Sequence, residues 1–344
     1  MDTRHDFEGY LDRLYARHTR QWAYPAGDAA AFRRWQKRAR KGLLRLLTME
    51  HRERVPLNLR RQTVEETAEY TRERLSYDTL PGITVPAFLL IPKGVKLPAP
   101  AVLCPPGHGE GMNQVLDESP GIYHEYPKEL ARRGMVALVP EHVGFGERLG
   151  EEGNDRHANH LYNYLVLNLL GESQQGLFIW DLMRALDVLE GLPEVKPNHI
   201  GCYGLSLGGE TTLLLSAADT RIKAACVSGF LTSYKSCFMD MAHCGCGYSF
   251  GMLRYFEMAD LAALIAPRPL LLESAIEDPI FYIDDAKKVF AELQGLYATL
   301  GVPDRVDQEV FVGEHEISGR VAYDWLAKQL KVESWDRRRP APAL

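Results

Sequence analysis

The chain has few cysteines, no long hydrophobic run and no excess of positive charge. Its six cysteines among 344 residues are too few for a disulfide scaffold. No apolar run approaches the ~20 residues of a membrane span, and residues 1–15 are charged throughout, without the apolar core of a signal peptide. We therefore expect no membrane-spanning segment and a cytoplasmic location.

A formal net charge of −6 excludes a general electrostatic attraction to nucleic acid. The basic stretch at residues 33–45 is accompanied by leucines and predicts an amphipathic helix rather than a phosphate-binding surface. Charged residues make up 25% of the chain and hydrophobic residues 46%, which excludes a mostly disordered or collagen-like protein. We expect a small-molecule partner, no nucleic acid and no membrane, and we leave a homo-oligomer open.

Residues 1–65 predict a helical N-terminal extension. Apolar side chains recur there at spacings of three and four, and Asp28 is placed to cap the second helix. We expect this extension to cover the main domain or to form an oligomer contact. At the other end, residues 336–344 predict a frayed tail. The apolar positions of the extension are Phe7, Tyr10, Leu11 and Leu14 in one segment and Phe32, Trp35, Leu43 and Leu47 in the other.

Residues 66–335 predict a single α/β catalytic domain. Short apolar strands alternate there with amphipathic helices, after a first pair of strands joined by the turn Leu80-Pro81-Gly82. This alternation predicts a doubly wound, mainly parallel sheet covered by helices on both faces. Two irregular stretches, residues 144–171 and 229–260, follow strand ends, where ligands bind in such sheets. We expect them to wall a pocket, and neither shows the sequence of an apolar lid helix.

The strongest functional signal is a serine between two glycines. Gly204-Leu205-Ser206-Leu207-Gly208 lies directly after an apolar strand and directly before a helix. This is the context of a nucleophile elbow, where small residues two before and two after the serine avoid clashes in a strained turn. We predict that Ser206 is a catalytic nucleophile, since the helix N-terminus favours developing negative charge. The alternative is an incidental glycine-rich turn.

A serine nucleophile needs a base, and in this type of fold the catalytic residues follow in the order serine, acid, histidine. His315 comes just after the final strand and is the last histidine of the chain, so we predict it as the general base. The acid must lie between the serine and this histidine, at a strand end. Asp278 is the first choice, with the role of holding the imidazole tautomer. Glu277 and Glu273 are the rival acids.

The oxyanion of an acyl-transfer reaction needs two preorganised N–H donors. We predict the backbone N–H of Leu207, the residue after the nucleophile, as one of them. The other should come from the glycine-rich loop after the strand at residues 101–104, where Glu110 is the first choice and Gly109 the next. His108 in the same loop is predicted to be structural, with a role as a base as the alternative.

Two sets of possible metal ligands have weak patterns. In the first set, histidines three apart in a polar loop are more often solvated or pocket-lining than metal-bound. In the second set, the Cys-Gly-Cys spacing is tighter than that of zinc sites, so a pocket wall is the preferred interpretation. We predict no metal and no cofactor, since Gly144-Phe145-Gly146 is also not a full dinucleotide fingerprint. The sets are Asp155, His157 and His160, and Cys237, His243, Cys244 and Cys246.

With these motifs the chain resembles the α/β-hydrolase superfamily, and within it the acetyl xylan esterase and dienelactone hydrolase-like group. The resemblance covers roughly residues 68 to 331. It implies an α/β-hydrolase fold and a triad of Ser206, Asp278 and His315. Dienelactone hydrolases use cysteine where this chain has Ser206, which favours oxygen esters, and sugar deacetylases of the group commonly have an aromatic residue where it has Glu110. Three further segments carry the resemblance to this group: YDTLPGITVPAFLLIP at 77–92, VPEHVGFGER at 139–148 and DLAALIAPRPLLLESAIEDPIF at 260–281.

The sequence thus predicts a cofactor-free serine hydrolase of carboxylic esters with small acyl groups, such as a deacetylase of sugars or related metabolites. Two other classes stay open. A carbon–carbon bond hydrolase would use the same triad under a helical cover, and a non-catalytic ligand-binding protein can be built on the same fold.

Overall fold

The computed structural model describes residues 6–18, 20–25, 27–117, 121–150 and 159–333. The predicted frayed tail at residues 336–344 lies outside them. Within the described ranges, nine strands form one sheet with helices on both sides. The strands are β1 (Arg60–Glu66), β2 (Tyr70–Leu80), β3 (Ile83–Pro92), β4 (Ala99–Leu103), β5 (Val136–Pro140), β6 (Val195–Leu205), β7 (Ile222–Ser228), β8 (Leu270–Ala275) and β9 (Val306–Phe311). The helices are α1 (Phe7–Ala16), α2 (Ala29–Leu46), α3 (Met112–Leu116), α4 (Tyr126–Arg132), α5 (His160–Leu169), α6 (Gln174–Gly191), α7 (Leu207–Ala218), α8 (Met252–Tyr255), α9 (Met258–Ala263), α10 (Ile283–Thr299) and α11 (Ala322–Gln329).

The strand order across the sheet is β1-β2-β3-β5-β4-β6-β7-β8-β9. Neighbouring strands from β5 to β9 pair in parallel, whereas β1, β2 and β3 form an antiparallel edge that joins the sheet at β5. The prediction of a doubly wound, mainly parallel sheet is confirmed. The carboxyl ends of β4 and of β6 to β9 therefore meet at one edge, where the loops with the predicted catalytic residues begin.

Side chains of the central strands point alternately into two cores, one on each face of the sheet. In β4, Ala101 and Leu103 belong to one core, while Val102 and the adjoining Cys104 belong to the other. The first core lies under α2, α6, α7, α9 and α10, and the second under α3, α4 and α11. Because both faces are covered, the strands are apolar at successive positions, which is why the sequence shows them as continuous apolar runs.

Helix α2 belongs to the main core rather than to a separate unit. Asp28 caps it as predicted, and its carboxylate accepts hydrogen bonds from the N–H groups of Ala30 at 2.8 Å and Ala31 at 3.1 Å. Its buried residues Phe32 and Leu43 pack in the core beside α6 and α7. Burying each such side chain is worth about 1.5–3 kcal/mol, so this helix is firmly attached to the sheet.

The segment at residues 1–65 is helical only in part, because β1 begins at Arg60. The sequence of this strand shows no alternation of apolar and polar residues. Every β1 side chain is exposed or half-buried, and Val64 is 46% exposed. Its backbone pairs with β2, and Arg61 forms ion pairs with Glu73 at 2.7 Å and Glu194 at 2.8 Å. An edge strand held by backbone and charge contacts carries no hydrophobic period from which to predict it.

The insertion at residues 144–171 contains a helix that the sequence analysis did not predict. Helix α5 is rich in leucine, yet none of its residues is buried. Leu161, Leu165 and Leu169 are 47%, 55% and 87% exposed. The insertion therefore contains an apolar helix, although its ten residues show no core-facing stripe from which to predict it. No helix in the described ranges has both the length and the apolar character needed to cross a membrane.

Candidate active site

Ser206 occupies a sharp turn between β6 and α7. Its backbone has φ 61° and ψ −122°, a conformation that costs energy for a residue with a side chain and is typical of functional turns. A Cβ atom added to Gly204 would lie 2.6 Å from the carbonyl oxygen of Gly208, and one added to Gly208 would clash with the carbonyl oxygen of Pro105. Both flanking positions thus require glycine, as the elbow pattern predicts.

Asp278 and His315 are brought together at the ends of β8 and β9. His315 Nδ1 lies 2.8 Å from Asp278 Oδ2. The other carboxylate oxygen, Oδ1, accepts hydrogen bonds from the N–H groups of Ile280 at 2.8 Å and Phe281 at 3.0 Å. The ring of Phe281 also stacks on the imidazole, with centroids 5.5 Å apart. These contacts hold the carboxylate and the imidazole in one relative orientation, and His315 lines the cavity.

The electrostatics of Asp278 favour its charged form. Burial alone would raise the pKa of this carboxyl group, which is 5% exposed. The hydrogen bond and charge of His315, with the two backbone N–H donors, outweigh burial and hold the pKa of Asp278 below its usual value. An ionised carboxylate on Nδ1 keeps the proton there and leaves Nε2 free to accept one.

The two rival acids lie elsewhere. Glu273 is within β8 and its carboxylate accepts hydrogen bonds from the Tyr203 hydroxyl at 2.9 Å, the Ser228 hydroxyl at 2.6 Å and the Gly319 N–H at 2.9 Å. Burial, followed by the charge of Glu309, raises the pKa of Glu273 to about 7. Glu277 is exposed. In the described part of the chain, Asp278 is hydrogen-bonded to the His315 imidazole, and neither of the two glutamates is.

Ser206, Leu207 and His315 line one cavity of about 470 Å³. In the described part of the chain, His315 bonds through its ring to Asp278 and no hydrogen bond joins the ring to Ser206. Catalytic hydrogen bonds are often long without a substrate and tighten in the complex. The far wall comes from the insertion at residues 229–260, with Phe238, Met241 and His243 among its contributions.

The predicted oxyanion donors differ in their availability. Leu207 is the first residue of α7, so its N–H has no partner within the helix. The Glu110 N–H instead donates to the side-chain oxygen of Gln114 at 2.9 Å, and Glu110 does not line the cavity. A Cβ added to Gly109 would clash with the same Gln114 oxygen. The structure therefore does not present Glu110 to a substrate in this state.

A buried glutamate that the sequence analysis missed supports the loop after β4. Glu141 follows β5 and its carboxylate accepts from the Met112 N–H at 3.1 and 3.2 Å. A Cβ added to Gly111 would lie within 2.5 Å of this carboxylate, so the loop can approach it only with glycine there. Burial raises the pKa of Glu141 to about 7, although backbone donors oppose the rise. The segment at 139–148 that carries the family resemblance contains this residue, but its sequence did not indicate a role for Glu141, because the Met112 N–H belongs to another segment.

A second missed acid faces the cavity from α7. Glu210 is 2% exposed and burial holds its pKa well above the usual value. The Gln175 side-chain amide donates to Glu210 and, at 2.8 Å, to the carbonyl oxygen of Gly247. Gln175 thereby links α6, α7 and the insertion at residues 229–260. A polar residue in a helix is an ordinary sequence feature, so its burial could not be predicted.

The two sets of possible metal ligands do not form as complete groups. Asp155 and His157 lie outside the described residues, whereas Cys237 is buried in the main core. The structure instead joins His160 from the first set, Cys244 from the second, and His108 from the loop after β4. Hydrogen bonds from the Cys246 thiol and then from the two imidazoles lower the pKa of the Cys244 thiol.

Comparison with known protein families gives a match. The sequence model of the abhydrolase family matches residues 19–291, a range that includes Ser206 and Asp278 and ends before His315. The Bacillus subtilis (strain 168) protein YtaP, whose name assigns it to the hydrolases, is 29% identical over 275 residues, which cover 77% of this chain and 89% of that protein.

Two solved structures are similar over most of their length. One, from Bacteroides fragilis NCTC 9343 and named as an acetyl xylan esterase, has a TM-score of 0.77 at 19% identity and covers 93% of this chain and 94% of its own. The other, a glucuronoyl esterase from Solibacter usitatus, has a TM-score of 0.62 at 17% identity and covers 92% and 98%. At these identities the likeness establishes the fold. The predicted resemblance to the α/β-hydrolases is confirmed by the family match, and the fold of a structure named as an acetyl xylan esterase agrees with the predicted group.

Proposed function

The chain belongs to the abhydrolase family, and from that premise we propose that it is a serine hydrolase that cleaves carboxylic esters of small acyl groups. One observation carries the proposal. Asp278 and His315 form a 2.8 Å hydrogen bond beside a serine held at positive φ, and all three follow strand ends at one edge of the sheet. The names of the relative and of the two similar structures, a hydrolase and two esterases, support the same reaction class.

In the proposed reaction, Ser206 Oγ attacks the acyl carbon while His315 Nε2 takes its proton. Asp278 holds the imidazole orientation and stabilises the imidazolium. The ester C–O bond then breaks, the imidazolium protonates the leaving alcohol, and the acyl group remains on Ser206. Water, activated by the same imidazole, releases the acid and restores the serine. Apart from water, each step uses only groups of this chain, and His315 approaches Ser206 when substrate fills the cavity.

The developing oxyanion needs two donors, and we assign the first to the Leu207 N–H at the start of α7. Glu110 remains the proposed second donor, with the condition that substrate displaces the Gln114 side chain from its N–H. Gly109 is the alternative in the same loop. The Met112 N–H, two residues after Glu110, donates to the Glu141 carboxylate. We therefore expect the loop to keep its position when the Glu110 N–H exchanges Gln114 for the substrate.

The proposed substrates are small acyl esters, such as acetylated sugars or related metabolites. The cavity of about 470 Å³ is lined in part by Phe230, Phe238 and Phe281, and we expect these rings to limit the length of an acyl chain. The similarity to structures named as an acetyl xylan esterase and a glucuronoyl esterase favours a carbohydrate alcohol. Glu110 at the position where sugar deacetylases commonly carry an aromatic residue argues for a different contact with that alcohol.

A chain-length series of p-nitrophenyl esters from two to eight carbons at fixed pH tests this proposal. We expect kcat/KM for the acetate to exceed that for the octanoate at least tenfold, since each methylene that a pocket excludes changes discrimination by about 1–3 kcal/mol. A maximum at six carbons or longer would contradict the small-acyl assignment. Turnover of a β-diketone without turnover of any ester would instead identify a carbon–carbon bond hydrolase.

A further inference from the structure

Three metal-ligating side chains meet at the rim of the cavity. The Nε2 atoms of His108 and His160 are 3.0 Å apart, and the sulfur of Cys244 joins them so that all three ligand atoms lie within 4.8 Å of one another. His108 is in the loop after β4, His160 is the first residue of α5, and Cys244 precedes the short helix Gly245–Gly247. Among the described residues, this is the one group of at least three histidine, cysteine or acidic side chains with such spacing.

We propose that His108, His160 and Cys244 bind a zinc ion that ties the two insertions to the loop beside Ser206. Two imidazoles and one thiolate form a donor set that suits zinc, which takes histidine nitrogen and cysteine sulfur in tetrahedral sites. Three protein ligands leave a fourth position for water. The site lies outside the triad and takes no part in the proposed ester chemistry.

The separations between the ligand atoms come near to those that this ion requires. Zinc–nitrogen bonds of ~2.0–2.1 Å and a zinc–sulfur bond of ~2.3 Å at tetrahedral angles place the two nitrogens about 3.3 Å apart and each nitrogen about 3.6 Å from the sulfur. The observed nitrogen separation is 3.0 Å, and the largest separation in the group is below 4.8 Å. The two imidazoles approach each other through the same nitrogen, Nε2. To complete the site, the nitrogens would move apart by about 0.3 Å and a nitrogen–sulfur separation of up to 4.8 Å would shorten by up to about 1.2 Å.

The surroundings hold the ligands in place. The ring of Phe145, which is 2% exposed, stacks on His160 with centroids 4.7 Å apart and an interplanar angle of 8°, and packs edge-on against His108 at 5.2 Å. An apolar shell around the ligands is one of the outer-shell features that support metal sites.

Two glycines allow the three segments to approach one another. A Cβ on Gly144 would lie 2.7 Å from the backbone nitrogen of His160, and Gly144 has φ +85°. A Cβ on Gly245 would lie 2.5 Å from the ring of Tyr164 in α5. The turn that carries Cys244 is thus packed directly against the helix that begins with His160.

A metal link would supply what α5 otherwise lacks. None of the residues of α5 is buried, so the helix gains little stability from apolar burial. Its attachment must come from its ends and from the turn at Gly245. A zinc ion on His160 would fix its first turn to His108 and Cys244, and so fix the wall of the cavity that α5 supports.

The test uses the full-length protein, freed of metal and titrated with Zn²⁺ alone. We expect one zinc per chain by elemental analysis, a rise in melting temperature, and slower amide hydrogen exchange in residues 160–169 and 244–247. Cobalt substitution should give a sulfur-to-metal charge-transfer band that reports thiolate ligation. His160→Ala and Cys244→Ser should each weaken zinc binding by at least about a hundredfold, because losing an outer-shell partner alone costs 10–100-fold.

His199→Ala is the matched control, since His199 lies on β6 outside the group, and its zinc affinity should equal that of the parent. Zinc that binds equally well to the parent and to both ligand variants is an adventitious ion only and overturns the proposal. Absence of binding, or cobalt binding without a thiolate band, also overturns it. Zinc binding that leaves amide hydrogen exchange in α5 unchanged would overturn the proposal that the ion ties the insertions to the loop. None of these readouts depends on ester turnover, so a failure here is distinct from a failure of the proposed esterase.

Discussion

Two regions face each other across the cavity, and they are built by different rules. The strand-end region contains Ser206, Asp278 and His315, which lie in the turns and loops that follow β6, β8 and β9. The insertion wall consists of the described residues 144–150, 159–171 and 229–260 with the loop after β4. In the strand-end region, Asp278 is held by N–H groups two and three residues away. In the wall, His108 meets His160, which is 52 residues further along the chain.

The two regions differ in how far their contacts can be predicted from the sequence. A strand end fixes its residues through backbone geometry, so a turn pattern and the chain order predict which side chains converge. A wall made of insertions depends on contacts between segments that are far apart in the chain. A sequence pattern within one segment cannot predict these contacts. His160 and Cys244 belong to two different sets of possible metal ligands, and only the folded chain brings them together.

Asp278→Asn tests the strand-end region with the largest expected effect among the changes to its supporting groups. We expect kcat/KM to fall by as much as ~10⁴, because the amide favours the wrong imidazole tautomer, while folding by circular dichroism is unchanged. Glu277→Gln is the matched control, since this neighbouring acid is exposed, and it should retain activity within a few-fold. Reversed effects of the two changes would assign the acid to Glu277.

Glu273→Gln separates a structural acid of the same region from the catalytic one. Burial raises the pKa of Glu273 to about 7, so between pH ~4.5 and ~7 the folded state binds more protons than the unfolded state. The parent should therefore lose stability relative to the variant as pH rises through this window, by up to about 1.4 kcal/mol per pH unit. Urea unfolding at several pH values measures this. A difference that does not change with pH would contradict the raised pKa.

Much of the strand-end region could be predicted from the sequence, and the reasons are local. Gly204 and Gly208 are required by close backbone contacts, which makes the elbow visible as a pattern. Glu110 shows the limit, because its N–H is taken by Gln114, a side-chain contact that no motif contains. Strand β1 and helix α5 were missed for a related reason. Neither buries an apolar face, so neither leaves a hydrophobic period in the sequence.

Met241→Ala tests the wall with the smallest expected effect. Met241 lines the cavity that contains Ser206, and its removal should enlarge the acyl site. We expect the ratio of octanoate to acetate kcat/KM to rise about tenfold, with the acetate rate nearly unchanged. Met239→Ala is the matched control, because Met239 lines a different cavity. Equal shifts in both variants would mean that the wall does not set acyl length.

Covalent labelling with a fluorophosphonate, mapped to a peptide, tests the central claim most directly. An activated serine displaces fluoride from phosphorus, so the label should fall on the peptide that contains Ser206. Ser206→Ala should lose the label and nearly all ester turnover, a loss of about 10⁶ in a serine protease of similar mechanism. A label on another residue, or Ser206→Ala activity within tenfold of the parent, would contradict the account.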